Sequence, residues 1–323
     1  MSKRIIGLMV VGPNEKRLSQ CLDQFKYLCD DVVIATNNAD QKTKNTIKKY
    51  DYHQYEDNRE WGIFQPKIKT GLLQRIGGLK PDVILPRDAD ELYDSSFGRA
   101  EVESLSAIYP ACYFYIVNLW NDEQHQKRSL GFWNIRMFNW KPELGTVYLK
   151  KNLHCGLGPP WTYKFGSHIP HLIKHYGLMD KEDRMRKVDR YDKYDPKAIF
   201  KDRIYYDTLK SDSTGTEFNE EDFKKKLDAE VNSYGNQQKT ITPDKMKHEY
   251  SVIKRTRLEN GEEFMFEVET KTVPNYLAQS NSRLKFECMG AVQDLTEDIE
   301  KMFEEPEEPI IEVKPKVKKN AKK

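Results

Sequence analysis

Residues Asp82-Val83-Ile84-Leu85-Pro86 form a short apolar run that ends at Asp88-Ala89-Asp90-Glu91. A run of this kind reads as a strand buried on both faces, and such strands belong to a sheet covered by helices on either side. In open α/β sheets ligands gather outside the carboxyl ends of the strands, which is where these acids fall. On an extended segment alternate side chains project to one side, so Asp88 and Asp90 can converge on one hard cation. The plainer reading is a solvated acidic turn, with Pro86 and Asp88 as ordinary turn residues.

The chain before this motif alternates between strand and helix patterns. Arg4 to Val11 is a continuous apolar run rich in Ile and Val, which suits a fully buried parallel strand, and it ends at Gly12-Pro13-Asn14-Glu15. Lys16 to Leu28 carries Leu18, Leu22, Phe25 and Leu28 at helical spacing. A second strand is expected over Asp31 to Thr36, with Asn37-Asn38-Ala39-Asp40 as its exit loop. A helix should follow from Gln41 to Tyr50, then a short strand near Tyr52 to Tyr55, then a helix from about Gln65 to Ile76 ended by Gly77-Gly78. This order predicts a doubly wound α/β domain whose loops after the first, second and fourth strands open on one edge.

Past Asp90 the pattern is mixed. A helix is expected over Gly98 to Ile108, a strand dense in Tyr and Phe over Cys112 to Leu119, and another over Asn134 to Phe138. Trp120, Phe132, Trp133, Trp140 and Trp161 serve either core packing or a stacking platform for a sugar ring. Asp180 reads as the N-cap of a helix carrying Met185, Val188 and Tyr191 on one face, stopped by Asp195-Pro196. Its Arg184, Arg186, Lys187 and Arg190 make a solvated polar face by default, with phosphate contact as the alternative. From about Asp202 the composition shifts to lysine and glutamate. Glu220 to Val231 reads as a polar helix, Tyr250 to Arg257 and Glu263 to Lys271 as a hairpin around Asn260-Gly261, and Asp294 to Phe303 as a last helix. The expected organisation is an α/β domain over residues 1–200, an α+β extension over 201–304, and a disordered lysine-rich tail over 305–323.

Charge excludes little: 53 Lys and Arg stand against 51 Asp and Glu, a net +2 that makes no whole-chain case for nucleic acid or a membrane surface. The five cysteines are scattered and odd in number, which suits a reducing compartment better than a disulfide framework. The amino-terminal apolar stretch is only about as long as a strand, against a signal peptide or a membrane span. A cytoplasmic protein is expected.

Val10-Val11-Gly12-Pro13-Asn14-Glu15, Asn37-Asn38-Ala39-Asp40, Asp88-Ala89-Asp90-Glu91 and Ile173-Lys174-His175-Tyr176-Gly177 occur in this order. Together they resemble a family 2 glycosyltransferase of the GT-A fold over about residues 4 to 196. The resemblance implies transfer of a sugar from a nucleotide diphosphate donor to an acceptor hydroxyl, assisted by Mg2+ or Mn2+. A departing nucleoside diphosphate gathers negative charge, which a cation held by Asp90 would stabilise as a Lewis acid. Asp88 would bind the same ion, directly or through water, or hold the donor ribose. The family carries its metal-binding histidine after the acceptor region, which implies His175 as third ligand. His154, His168, His171 and His175 lie close together, but zinc more typically uses tightly spaced His and Cys ligands. Packing or hydrogen bonding is the other reading of His175.

By the same resemblance, Glu15 or the backbone from Val11 to Asn14 contacts base or ribose, with Asn37 and Asp40 closing the other side. Many members end the second strand on an aspartate where this chain has Thr36, which leaves the choice of nucleotide open. Lys67, Lys69 or Arg87 would meet the diphosphate. Members generally invert the anomeric centre, which requires a carboxylate to take the acceptor proton. Asp122 and Glu123, after the aromatic strand, are candidates for that base, and a surface turn is the alternative for each.

A haloacid dehalogenase-like phosphotransferase needs a D-x-D-x-T/V segment, usually on the first strand, whereas here Leu92 fills the last place on the fourth. A non-catalytic nucleotide-sugar or glycan-binding protein is the reading of another class. The lysine-rich tail and the extension motivate a modified nucleic-acid base as acceptor, against a polysaccharide precursor as the commoner acceptor class.

Overall fold

The computed structural model describes residues 2–146, 148, 155–196, 203–211, 213 and 215–233, and the strand segments 250–257, 263–269 and 284–291. The first half alternates as the apolar periodicity requires: β1 (Ile5–Val11), α1 (Leu18–Leu28), β2 (Asp31–Thr36), α2 (Gln41–Ile47), β3 (His53–Glu56), α3 (Trp61–Ile76) and β4 (Val83–Asp88). There follow β5 (Glu91–Tyr93), α4 (Arg99–Ile108), β6 (Ala111–Trp120), β7 (Asp122–Gln126), β8 (Phe132–Asn139), α5 (Pro160–Phe165) and β9 (Gly166–His175). The remaining elements are α6 (Lys181–Tyr194), α7 (Arg203–Lys210), β10 (Thr216–Glu217), α8 (Glu220–Ser233), β11 (Tyr250–Arg257), β12 (Glu263–Glu269) and β13 (Leu284–Ala291).

The large sheet runs in the order β10-β7-β6-β8-β4-β1-β2-β3, with β9 joining β6 and β5 joining β9. Strands β4, β1, β2 and β3 are parallel, while β8 lies antiparallel to both β4 and β6. The fold is therefore the expected α/β class, a doubly wound mixed sheet with helices on both faces. Strand pleating explains the two layers. Ile5, Met9 and Val11 pack with Leu22 and Phe25 of α1 and Val102 and Leu105 of α4. Ile6 and Leu8 of the same strand pack with Ile68, Leu72 and Ile76 of α3.

The register places Val10 beside both Ala35 and Asp88. The loops after β1, β2 and β4 thus leave the sheet at one edge, as the sequence predicts. Asn14 and Asn38 turn the first two loops with left-handed φ angles of 61° and 49°, a region that asparagine enters more readily than most residues.

Several elements differ from expectation. Helix α3 starts a turn before Gln65, at Trp61, so Pro66 lies inside it rather than at its first turn. The segment around Asp122 and Glu123 is a strand, β7, paired with β6 and β10, not a turn. Beyond residue 200, α7 contributes Tyr206 and Leu209 to a cluster with Val188 and Tyr191 of α6. Helix α8 is fixed to the sheet through Glu220 with Lys174 (2.7 Å) and Lys224 with the buried Asp94 (2.8 Å). Helices α7 and α8, beyond residue 200, thus pack against elements that precede it. Strands β11 and β12 form the expected antiparallel pair, with β13 on the other side of β11. The Asn260-Gly261 turn, the helix expected over 294–303 and the tail 305–323 lie outside the described residues, as does His154. Among the described residues, Cys21, Cys29, Cys112 and Cys155 are free thiols and no helix is long and apolar enough to cross a membrane.

Candidate functional site

A cleft of about 1190 Å³ opens at the edge where β1, β2 and β4 end. Its walls come from the first loop (Asn14, Glu15), the second (Asn37), α3 (Lys69), the acidic motif (Asp88, Asp90), β8 (Trp133, Asn134), His175 and one side of α6.

Pleating splits the acidic motif. Asp88 at the end of β4 keeps 43% of its side chain accessible and Asp90 keeps 21%, while Glu91 is sealed at 2%. Glu91 accepts two bonds from the buried Arg136, at 2.7 Å from Nε and 2.5 Å from Nη2. Asp88 lies 3.9 Å from the same guanidinium. Burial disfavours the Glu91 carboxylate, but Arg136 outweighs it and holds the group below the ordinary range. Burial pushes Asp88 up, and the neighbouring Glu91 charge adds to the rise.

Asp90 is reached from the far end of the domain. Strand β9 pairs with β5 so that His175 stands opposite Glu91, and Tyr176 N–H donates to the Asp90 carbonyl at 2.8 Å. His175 Nε2 then lies 3.2 Å from Asp90 Oδ2. Asn118 donates its amide to the Leu130 carbonyl (2.6 Å), which turns its oxygen toward His175 Nδ1 (2.5 Å). Nδ1 thereby donates to the Asn118 oxygen, and Nε2 faces the cleft. Lys187 of α6 completes the cluster, with Nζ 3.3 Å from Asp90 Oδ2 and 3.3 Å from His175 Nε2. Gly177 permits this convergence, since a Cβ there would overlap Asp90 Oδ2 and Lys187 Nζ. Burial works against charge on Asp90, yet Lys187 and His175 hold it well below the usual carboxylate range. Burial likewise opposes charge on Lys187, and Asp90 more than restores it.

Glu15 lies in the same cleft. Burial and then the Asp90 charge push its carboxyl up to about 8, so it is protonated at neutral pH. Asn37 is committed by its amide to the carbonyls of Asp57 (2.5 Å) and Arg59 (2.8 Å). Lys69 is buried and donates to the carbonyls of Cys155 (2.7 Å) and Gly156 (3.0 Å), tying α3 to the loop before α5.

Five expected site residues stand elsewhere. Val11 is fully buried in the core, because its position on β1 faces α1 rather than the cleft. Asp40 caps α2 by accepting from Thr43 N (2.8 Å) and also accepts from Asn14 N (2.6 Å), so it shapes the first loop without lining the cleft. Asp122 is paired with His125 at 2.8 Å and Glu123 with Arg17 at 3.0 Å, both on exposed β7 and outside the cleft lining. Arg87 is buried on the α1 side, over the Phe25 ring.

Asp88, Asp90 and His175 do not close a metal set as they stand. Asp90 and His175 share a point that already holds an ammonium, and Asp88 leans toward a guanidinium. Among the described residues no three His, Cys, Asp or Glu side chains gather in a group able to hold a metal ion.

Arg136 and Asn118 carry no signal in the sequence, and Gly177 falls in the His-Tyr-Gly stretch without its part in the site being visible there. Their roles depend on strand pairings that no local pattern records. The basic stretch 184–190 was visible, and the structure divides it. Arg184 is buried, donating to the Leu178 and Met179 carbonyls, whereas Arg186, Lys187 and Arg190 line the cleft.

No protein-family model and no curated protein sequence matches the chain. Among solved structures, S. aureus TarS is 8% identical and overlaps 86% of this chain and 74% of that one, with a TM-score of 0.38. A protein from Desulfovibrio desulfuricans G20 named for a nucleotide-diphospho-sugar transferase is 10% identical, over 71% of this chain and 97% of that one, with a TM-score of 0.32. CTP:phosphocholine cytidylyltransferase from Streptococcus pneumoniae is also 10% identical, over 71% and 99%, with a TM-score of 0.27.

Proposed function

We propose that the chain is a glycosyltransferase of the family 2 type. It would move a sugar from a nucleoside diphosphate donor to an acceptor hydroxyl, with inversion at the anomeric carbon. The observation that carries this reading is the strand-end acid pair, Asp88 and Asp90, opening on a cleft faced by Arg186, Lys187 and Arg190 of α6. A nucleoside diphosphate is bulky, polar at one end and doubly anionic at the other, and a cleft with a cationic wall suits that combination.

In the reaction the bond from the anomeric carbon to the β-phosphate oxygen breaks and the acceptor oxygen forms the new one, its proton leaving to a base. Lys187 and Arg190 would neutralise the charge that builds on the departing diphosphate. Asp90 and His175 would hold Lys187 in place for it. The residues that the family resemblance implies for Mg2+ or Mn2+ are otherwise engaged, Asp90 and His175 with Lys187 and Asp88 toward Arg136. Glu15, protonated at neutral pH, would donate a hydrogen bond to the nucleoside. Trp133 at the β8 side of the cleft would lie against the acceptor.

The test is Asp90→Asn, assayed for donor hydrolysis and transfer. The variant should fold as the wild type does and lose about a hundredfold or more in rate. Full activity would refute the reading.

A further inference from the structure

We infer that Lys187 is the resident cation of this site: its ammonium fills the point between Asp90 and His175 that a divalent ion would need, and excludes such an ion from it. The assignment rests on position. Nζ lies 3.3 Å from both the Asp90 carboxylate and His175 Nε2, in space left open by the missing Cβ of Gly177. Mg2+ demands near-octahedral oxygen ligands at about 2.1 Å, so it cannot share one carboxylate oxygen with an ammonium that already occupies its approach. An ammonium and a divalent ion at such a separation also repel strongly in a partly buried site.

A second observation points from the same helix to an anionic ligand. Arg190, one turn beyond Lys187 and lining the same cleft, keeps its Nε buried with no hydrogen-bond partner among the described residues. A buried donor left unmade is costly, and a phosphate oxygen would satisfy it. Lys187 and Arg190 together would thus take the place of a metal ion on the donor diphosphate. This part rests on the donor reading above, whereas the occupation of the cation point does not.

The experiment has two arms on the full chain, with circular dichroism confirming the fold of each variant. In the first, Mn2+ alone is titrated into wild type, Lys187→Met and Lys187→Gln and followed by electron paramagnetic resonance. Methionine keeps much of the stem while removing the charge, and glutamine is a second neutral side chain. Freed of the ammonium, Asp90 and His175 should bind Mn2+ about tenfold or more tightly than in wild type, and Asp90→Asn in the Lys187→Met background should remove the gain. Equal Mn2+ affinity in wild type and variants, or no binding in any of them, overturns the inference. In the second arm, nucleoside diphosphates are titrated in EDTA. Wild type should bind one of them, and Lys187→Met should weaken that binding about tenfold or more. Binding by wild type only after Mn2+ is added overturns the role of Lys187 at the diphosphate. If no nucleoside diphosphate binds in either buffer, the donor reading fails, while the Mn2+ arm still decides whether Lys187 holds the cation point.

Discussion

Asp90 and Glu91 are adjacent in sequence and both face a cation, yet they do opposite work. Glu91 turns into the sheet and meets Arg136 in a two-bond pair closed on all sides. Asp90 turns to the cleft and meets Lys187 and His175 in a cluster that a ligand can reach. The difference comes from one residue of strand register. It teaches that the acidic motif is half scaffold and half open to the cleft: the Glu91–Arg136 pair fixes the end of β4, and Asp90 then presents its carboxylate from a fixed point.

That contrast can be broken from either side. The largest effect should come from Glu91→Gln, which leaves the Arg136 charge buried with only Asp88 at 3.9 Å to answer it. Loss of one partner of a buried pair costs about 3–5 kcal/mol, so thermal unfolding should shift down by about 10 °C. An unchanged melting midpoint would show that the pair is not scaffold.

Glu15→Gln should act more modestly and only above the ordinary carboxylate range. The folded protein holds the Glu15 proton up to about 8 against an ordinary value of 4.5. Stability from this group is therefore fully present below the ordinary value and is lost as pH rises through the folded one. The glutamine variant, which cannot ionise, should melt within error of wild type in acid and exceed it by about 1–2 kcal/mol near pH 9, after allowance for the solvent that reaches the cleft. Parallel pH curves for the two proteins would contradict the placement of Glu15 beside the acids.

Glu123→Gln should have the smallest effect. Its pair with Arg17 is 3.0 Å long but the Glu123 side chain is 54% exposed, and such pairs contribute under about 1 kcal/mol. A larger loss in denaturant unfolding would mean that β7 carries more of the scaffold than its exposure implies.

The strands β1 and β2 and the helix α1 were legible in the sequence because each is a run of one clear period, largely apolar in β1 and β2 and amphipathic in α1. The edge on which Asp88 opens was legible for the same reason. Strand β7 was not, since Asp122 to Gln126 contains no apolar residue to betray it. Strand β9 carries its own ambiguity, since residues four apart such as His171 and His175 would also share a helix face. The candidate site was legible where it depends on one segment, as with Asp88 and Asp90, and illegible where it depends on pairing. Lys187 looked like one basic residue among several on α6. Only the β5–β9 register and the gap at Gly177 single it out.

The central claim is that this cleft binds the diphosphate of a nucleotide sugar through the α6 cations. A thermal-shift screen of nucleotide sugars, with EDTA and with Mn2+, tests it most directly. A donor that binds only the native state at a hundred times its Kd should stabilise wild type by about 2.7 kcal/mol. The account predicts such a shift in EDTA, abolished by Lys187→Met combined with Arg190→Met. No shift from any donor, or an equal shift in the double variant, would contradict it.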